Sequence, residues 1–286
     1  MSAIIYAKGL RKSFGDTHAL DGVDMDIQPG RIVGLIGPNG AGKTTCLQAI
    51  LGLTSFEGEL SVLGLDPRRQ RAELMKNVCF IADVATLPRW AKVSQLLDFV
   101  DQVHPNFHRD KALEFLSKTK VRLDKKVREL SKGMIVQTHL SIVMSIDAKL
   151  LVLDEPTLGL DILYRKDFYH NLLTDYFDEE RTILVTTHQV EEIEKILTDV
   201  MFIDDGKIVL DATMEDLASR YVEVLVVPEK ADAARKLGPM NEREVFGRHV
   251  FLYENLRRED LNGLGEYHVP SIADLFVAKM REGAPA

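Results

Sequence analysis

The chain has 286 residues, 45% of them hydrophobic and 28% charged, proportions that exclude a disordered protein and leave room for one large domain and a smaller one. A formal net charge of −8 excludes a nucleic-acid backbone as the main ligand. Two cysteines, Cys46 and Cys79, build neither a disulfide framework nor a metal cluster and read as small buried side chains in a reducing compartment.

Short strands and a turn open the chain, with strands at 4–8 and 18–27 around Gly15 and Asp16, an antiparallel-rich start. Residues 31–36 then read as a buried strand and 43–51 carry helical periodicity. Between them Gly37, Pro38, Asn39, Gly40, Ala41, Gly42, Lys43 and Thr44 fit the pattern G-x-x-x-x-G-K-[ST], so strand, glycine loop and helix come in the order that binds a nucleoside triphosphate. Gly37, Gly40 and Gly42 are expected to let the backbone curl with its N–H groups inward, and the helix N-terminus adds a favourable dipole for phosphate. Lys43 is expected to reach the β- and γ-phosphates, and Thr44 to place its hydroxyl on Mg²⁺.

Further along come a strand at 59–63, the basic cluster Arg68, Arg69 and Arg71, read as a solvated stretch opening a helix at 69–76, and a strand at 77–82. Helical patterns at 93–103, 111–118 and 134–146 define a helical insertion over about 84–147. Strands at 149–153 and 182–187 are almost wholly apolar, as for central parallel strands covered on both faces. Helices follow at 162–177 and 189–197, and then a hairpin turns at Asp204, Asp205 and Gly206, residues that tolerate positive φ. These elements compose an α/β nucleotide domain over 1–220, followed by a small α+β appendage at 221–286 with a strand at 222–227 and helices at 230–237 and 271–281. The N-terminus lacks a charged-then-apolar leader, and the longest apolar run, 140–146, is too short to span a membrane. The expectation is a cytosolic protein.

A second motif follows the strand at 149–153. Asp154 and Glu155, just before Pro156, lie past the carboxyl end of a buried strand, where ligands of open α/β sheets sit. Asp154 suits the water shell of Mg²⁺, and Glu155 suits polarisation of a water attacking the γ-phosphate. A third motif is Leu130, Ser131, Lys132, Gly133 and Met134, in which Ser131 can cap the following helix and Gly133 allows close backbone approach.

With these motifs the chain resembles the nucleotide-binding subunits of ATP-binding-cassette (ABC) transporters over residues 4–220. The resemblance implies a P-loop NTPase fold of ABC type with an antiparallel β subdomain and a helical insertion, and ATP and Mg²⁺ as ligands. It implies nucleotide contacts from Pro38, Asn39, Ala41 and Thr45 beside the glycines and Lys43, and stacking of Phe14 on adenine. Leu130 to Met134 is similar to the signature loop, so Ser131 and Gly133 are expected to meet the nucleotide held by the opposite subunit. Residues 158–161 look like the loop through which the two subunits touch, and His188 like the switch histidine at the γ-phosphate. The sequence departs from the family at Asp83, where glutamine is usual and touches Mg²⁺ and water, and where the aspartate side chain is shorter and, when ionised, cannot donate a hydrogen bond, so that a metal contact would be bridged by water, and at Lys132 and Met134 within the signature.

The implied assembly is a head-to-tail homodimer with two shared ATP sites, docked on a separate membrane permease at the inner face of the membrane and free of nucleic acid. Residues 84–93 lie where such a partner is received, and the single tryptophan, Trp90, is open to either docking or packing. The stretch 270–276 is similar to the tail of small two-component exporters. A soluble ABC ATPase acting on a ribosome, DNA or another protein is the alternative, and a nucleotide-binding scaffold without turnover is opposed by Glu155 and His188.

Overall fold

The computed structural model describes residues 3–81, 87–157, 162–178 and 180–282. β1 (Ile5–Phe14) and β2 (Thr17–Ile27) form an antiparallel hairpin whose turn begins with Gly15 at φ +56°. Ile5, Ala7 and Leu10 point inward with Leu20, Val23, Met25 and Ile27, the period of two of a half-buried sheet interrupted by a register shift between Ala7 and Leu10. β1 runs well beyond its apolar stretch, because Arg11, Lys12 and Ser13 keep their pairing with β2.

β3 (Ile32–Ile36) is buried throughout and leads through the glycine loop into α1 (Lys43–Ile50). β4 (Glu57–Val62) pairs with β1 and completes a three-stranded sheet in the order β2-β1-β4. After it come α2 (Arg71–Leu74) and β5 (Val78–Ile81). The basic cluster does more than open a helix: Arg68 lies over the Phe56 ring, and Arg71 Nε donates 3.1 Å to the carbonyl of Leu51 at the C-cap of α1.

α3 (Val93–Val103), α4 (Arg109–Ser117) and α5 (Lys132–Val143) pack together as the insertion. The chain continues through β6 (Leu150–Asp154), α6 (Ile162–Asn171), β7 (Thr182–Thr187) and α7 (Val190–Ile193). β8 (Asp199–Asp204) and β9 (Lys207–Thr213) follow, joined by Asp205 at φ +45° and Gly206 at φ +74°, the positive pair that a two-residue hairpin loop demands. The central sheet has the order β5-β6-β7-β3-β8-β9, parallel except for β9.

Alternation along these strands divides the core in two. Leu150, Val152, Val33 and Leu35 join the cluster that holds α1 and the three-stranded sheet. Leu151, Leu153, Ile32 and Ile36 join the cluster that holds α3, α4 and α5. β3 and β6 are therefore covered on both faces, which explains their nearly unbroken apolar sequences.

α8 (Met214–Arg220) leads to a second sheet of β10 (Tyr221–Val226), β11 (Asn241–Val245), β12 (Arg248–Glu254) and β13 (Gly265–His268), ordered β11-β12-β10-β13, with α9 (Ala231–Arg235) between β10 and β11 and α10 (Ile272–Glu282) at the end. The sequence pattern predicts only the first of these four strands. Val222, Val224, Phe251 and Tyr253 pack with α9 in a small core of their own. Tyr221 and Leu252, pointing the other way, join Ile272, Leu275 and Ala278 of α10 in the larger core of the nucleotide domain. No described helix is long and apolar enough to cross a membrane.

Candidate functional site

The carboxyl ends of β3, β6 and β7 converge on one edge of the central sheet, where loops collect ligands in open α/β folds. The three glycines of the loop after β3 serve different ends. Gly40 has φ +87° and open space around it, so its backbone conformation is what demands glycine. Gly37 has no positive φ, and what demands glycine there is space, since a Cβ would lie 2.3 Å from the carbonyl oxygen of Ile203 in β8. Gly42, the N-cap of α1, combines φ +107° with a Cβ position 2.4 Å from the Ala19 carbonyl oxygen of β2. Gly206 completes this junction by donating to the Ala41 carbonyl at 3.0 Å and accepting from the Asp21 N–H at 2.8 Å.

Lys43 is buried, and its Nζ donates to the carbonyls of Gly37 and Pro38 at 2.7 and 3.1 Å. Burial pulls its pKa below the ordinary lysine value, and the nearby carboxylates of Glu155 and Asp154 oppose that shift. Thr44 Oγ1 donates to Asp154 Oδ2 at 3.1 Å, while Thr186 Oγ1 on β7 donates to Asp154 Oδ1 at 2.6 Å. Asp154 is thus buried with both carboxylate oxygens engaged.

Glu155 adopts φ +48°, rare for a residue with a side chain. Its N–H is shared between the Thr186 carbonyl at 3.1 Å and the Thr186 hydroxyl at 3.3 Å. Its carboxylate faces His188, with Nδ1 at 2.9 Å from Oε2 and the His188 N–H donating to the same oxygen at 3.4 Å.

A cavity of about 470 Å³ opens between these groups, lined by Asn39, Gly40, Gly42, Lys43, Thr44, Thr45, Asp154, Glu155 and His188. Phe14, Ser131 and Gly133 do not line it. Phe14 is half exposed at the end of β1 with Lys12 Nζ 4.9 Å from its ring centre. Ser131 is the N-cap of α5, accepting from the Met134 N–H at 3.2 Å, so the helix begins at Lys132, two residues before the sequence pattern places it. Asp83 and the loop 158–161 fall outside the described residues. The sequence reading also missed Thr186, whose part in the site arises from strand pairing and has no local signature.

The hydroxyl of Thr44 and the carboxylate of Asp154 form an oxygen-only pair at the mouth of the phosphate loop. Such a pair suits a hard divalent cation that takes its remaining oxygens from phosphate and water, as Mg²⁺ does.

Nod factor export ATP-binding protein I of Cupriavidus metallidurans is 33% identical over 266 residues, covering 88% of this chain and 87% of that protein. The chain belongs to the ATP-binding proteins of ABC transporters. A family model described as ABC transporter matches residues 20–158 of this ABC ATP-binding protein. Among solved structures, an ATP-binding subunit of an ABC transporter superposes with a TM-score of 0.68 at 22% identity, over 75% of this chain and 91% of that one. A dimeric ATP-binding cassette in a post-hydrolysis state with ADP and Pi gives 0.62 at 20% identity, over 73% and 98%. Both share the fold of this ABC ATP-binding protein.

Proposed function

We propose that this ABC subunit hydrolyses ATP with Mg²⁺ at the Lys43–Asp154–Glu155–His188 cavity and drives a separate membrane permease, in the export direction, through closure of a head-to-tail dimer. The observation that carries the reading is the gathering of Lys43, Thr44, Asp154, Glu155 and His188 around one cavity at the carboxyl ends of three separate strands. Export is suggested by relatives whose names state it and which match along nearly their whole length. The dimer is suggested by the cassette seen as a dimer with ADP and Pi.

The backbone N–H groups of residues 39–44 and the N-terminus of α1 would bind the phosphates, with Pro38, Ala41 and Thr45 shaping the loop around them. Lys43 would turn its ammonium from the carbonyls of Gly37 and Pro38 towards the β- and γ-phosphates. Thr44 and Asp154 would hold Mg²⁺, which when bound neutralises charge developing between the β- and γ-phosphates. Glu155 would take the proton of the attacking water, oriented by its contact with His188. Phe14 would stack on the base, and Ser131 and Gly133 of a second copy would close over the γ-phosphate, consistent with their position away from the cavity of their own chain. Asp83 and the loop 158–161 keep the parts that the family resemblance gives them, near the metal and at the dimer contact. Trp90, 73% exposed, is a contact for the permease, which would hold the protein at the inner face of the membrane.

Glu155→Gln is expected to lower hydrolysis by about 10²–10⁴-fold while ATP still binds and the dimer persists longer, whereas Lys43→Ala loses ATP binding. Phosphate release and nucleotide-induced dimerisation on a sizing column check both, and unchanged turnover in Glu155→Gln removes that residue from its role.

A further inference from the structure

We infer that Thr186 is a positioning residue whose single hydroxyl orients the carboxylate of Asp154 and braces the backbone of Glu155. This rests on the proposed reading of Asp154 as a metal-holding group and Glu155 as the base. The register of β6 against β7 sets Asp154 directly opposite Thr186, at a point where Thr186 is fully buried. A threonine hydroxyl has one proton to give and lone pairs to receive. Its proton goes to Asp154 Oδ1 at 2.6 Å, within the range of hydrogen bonds to an ionised acceptor, and its oxygen receives the Glu155 N–H at 3.3 Å.

The final torsion of an aspartate is broad and roughly two-fold, so the carboxylate needs an anchor to hold one orientation. Thr186 occupies Oδ1, which leaves Oδ2 facing Thr44 Oγ1, the other oxygen of the candidate metal pair. The adjacent Glu155 sits at φ +48°, a conformation that persists only where its surroundings hold it. Both acceptors of its N–H belong to Thr186. One residue on a neighbouring strand therefore holds two successive acids, Asp154 by its hydroxyl and the backbone of Glu155 by its hydroxyl and carbonyl together.

The test uses the full-length protein as wild type, Thr186→Val and Thr186→Ser. Valine keeps the branched shape without the hydroxyl, and serine keeps the hydroxyl. Unfolding temperature is followed with ATP in EDTA and then with ATP and rising Mg²⁺, alongside steady-state hydrolysis. Thr186→Val is expected to keep the shift given by ATP in EDTA, to need about 10- to 100-fold more Mg²⁺ for its half-maximal response, and to lose kcat by a similar factor. Its KM for ATP stays within about twofold of wild type, and Thr186→Ser restores both quantities. A folded Thr186→Val protein that titrates with Mg²⁺ like wild type overturns the inference, as does Thr186→Ser impaired as severely as Thr186→Val. Thr186→Ala is the second hydroxyl-free variant, and failure of both to fold assigns the hydroxyl to the core and also overturns it. A wild-type protein with no response to Mg²⁺ overturns the reading of Asp154 itself and this inference with it, whereas a wild-type response shared by Thr186→Val overturns this inference alone.

Discussion

Gly37, Gly40 and Gly42 carry one motif and three physical demands, and substitution separates them. Alanine at Gly40 meets only an unfavourable φ, at a cost of about 1–2 kcal/mol. At Gly37 its Cβ meets a backbone oxygen, which forces β8 or the loop to move at about 1–3 kcal/mol. At Gly42 both penalties apply, so Gly42→Ala is expected to be the most destabilising of the three, by about 3 kcal/mol or more. Urea denaturation of the three variants without nucleotide checks the order, and equal midpoints for Gly40→Ala and Gly42→Ala contradict it. At this scale the sequence was a good guide wherever chemistry lies within a local pattern. Lys43, Thr44, Asp154, Glu155 and His188 are each recognisable beside their own strand, and the cavity contains all of them. Thr186 was not legible, because its partners lie 32 and 31 positions away and meet it only through the pairing of β6 with β7.

Elements reveal the same division. The central strands were legible since burial on both faces leaves continuous apolar runs, and the β8–β9 hairpin was legible since Asp205 and Gly206 announce their turn. β11 escaped because its sequence, Asn-Glu-Arg-Glu-Val, is polar, and β13 because all four of its residues are exposed. The turn between β11 and β12 places Phe246, wholly exposed, at φ +50° before Gly247 at φ +73°, a phenylalanine where asparagine or aspartate would signal a hairpin. The second sheet is tied to α10 by charge. Glu223 of β10 is 3% exposed and meets Arg243 of β11 at 2.8 Å and His268 of β13 at 2.9 Å, while Arg243 also reaches Asp274 in the first turn of α10 at 2.9 Å. Removing one partner from a buried charge is costly. Arg243→Met is expected to destabilise the protein by about 2 kcal/mol, below the full range for an isolated buried pair since His268 still faces Glu223. Guanidinium denaturation against wild type measures this, and a neutral result shows that water already serves Glu223.

Over the whole molecule, the proposed boundary near residue 220 separates two sheets and cuts through one core. Leu217, Tyr221, Leu252, Ile272, Leu275 and Ala278 belong to the cluster that also contains Leu151, Val185 and Phe202. The Ile272 N–H at the start of α10 donates to Glu194 just beyond α7 at 3.1 Å, and Phe276 meets Phe202 edge-on at 5.2 Å. Truncation after residue 220 therefore uncovers apolar surface on the nucleotide domain and is expected to lower its unfolding temperature by about 10 °C or more. Calorimetry of the full chain is expected to show one transition, and two separated transitions with an unshifted truncated protein contradict the shared core. The α/β class and the division of labour along the chain were legible, because strand and helix periods alternate clearly up to residue 220. The joining of the two sheets was not, since it depends on which face of β10 turns inward.

The phosphate loop is wedged against backbone from two distant parts of the chain: Ala19 in β2, and Ile203 and Gly206 around the β8–β9 turn, with Asp21 of β2 tied in turn to Gly206. A genetic screen for lost ATP binding should accordingly return alleles at 19–21 and 203–206, positions with no phosphate chemistry of their own, because the mould that shapes the loop is encoded on both sides of it in the gene.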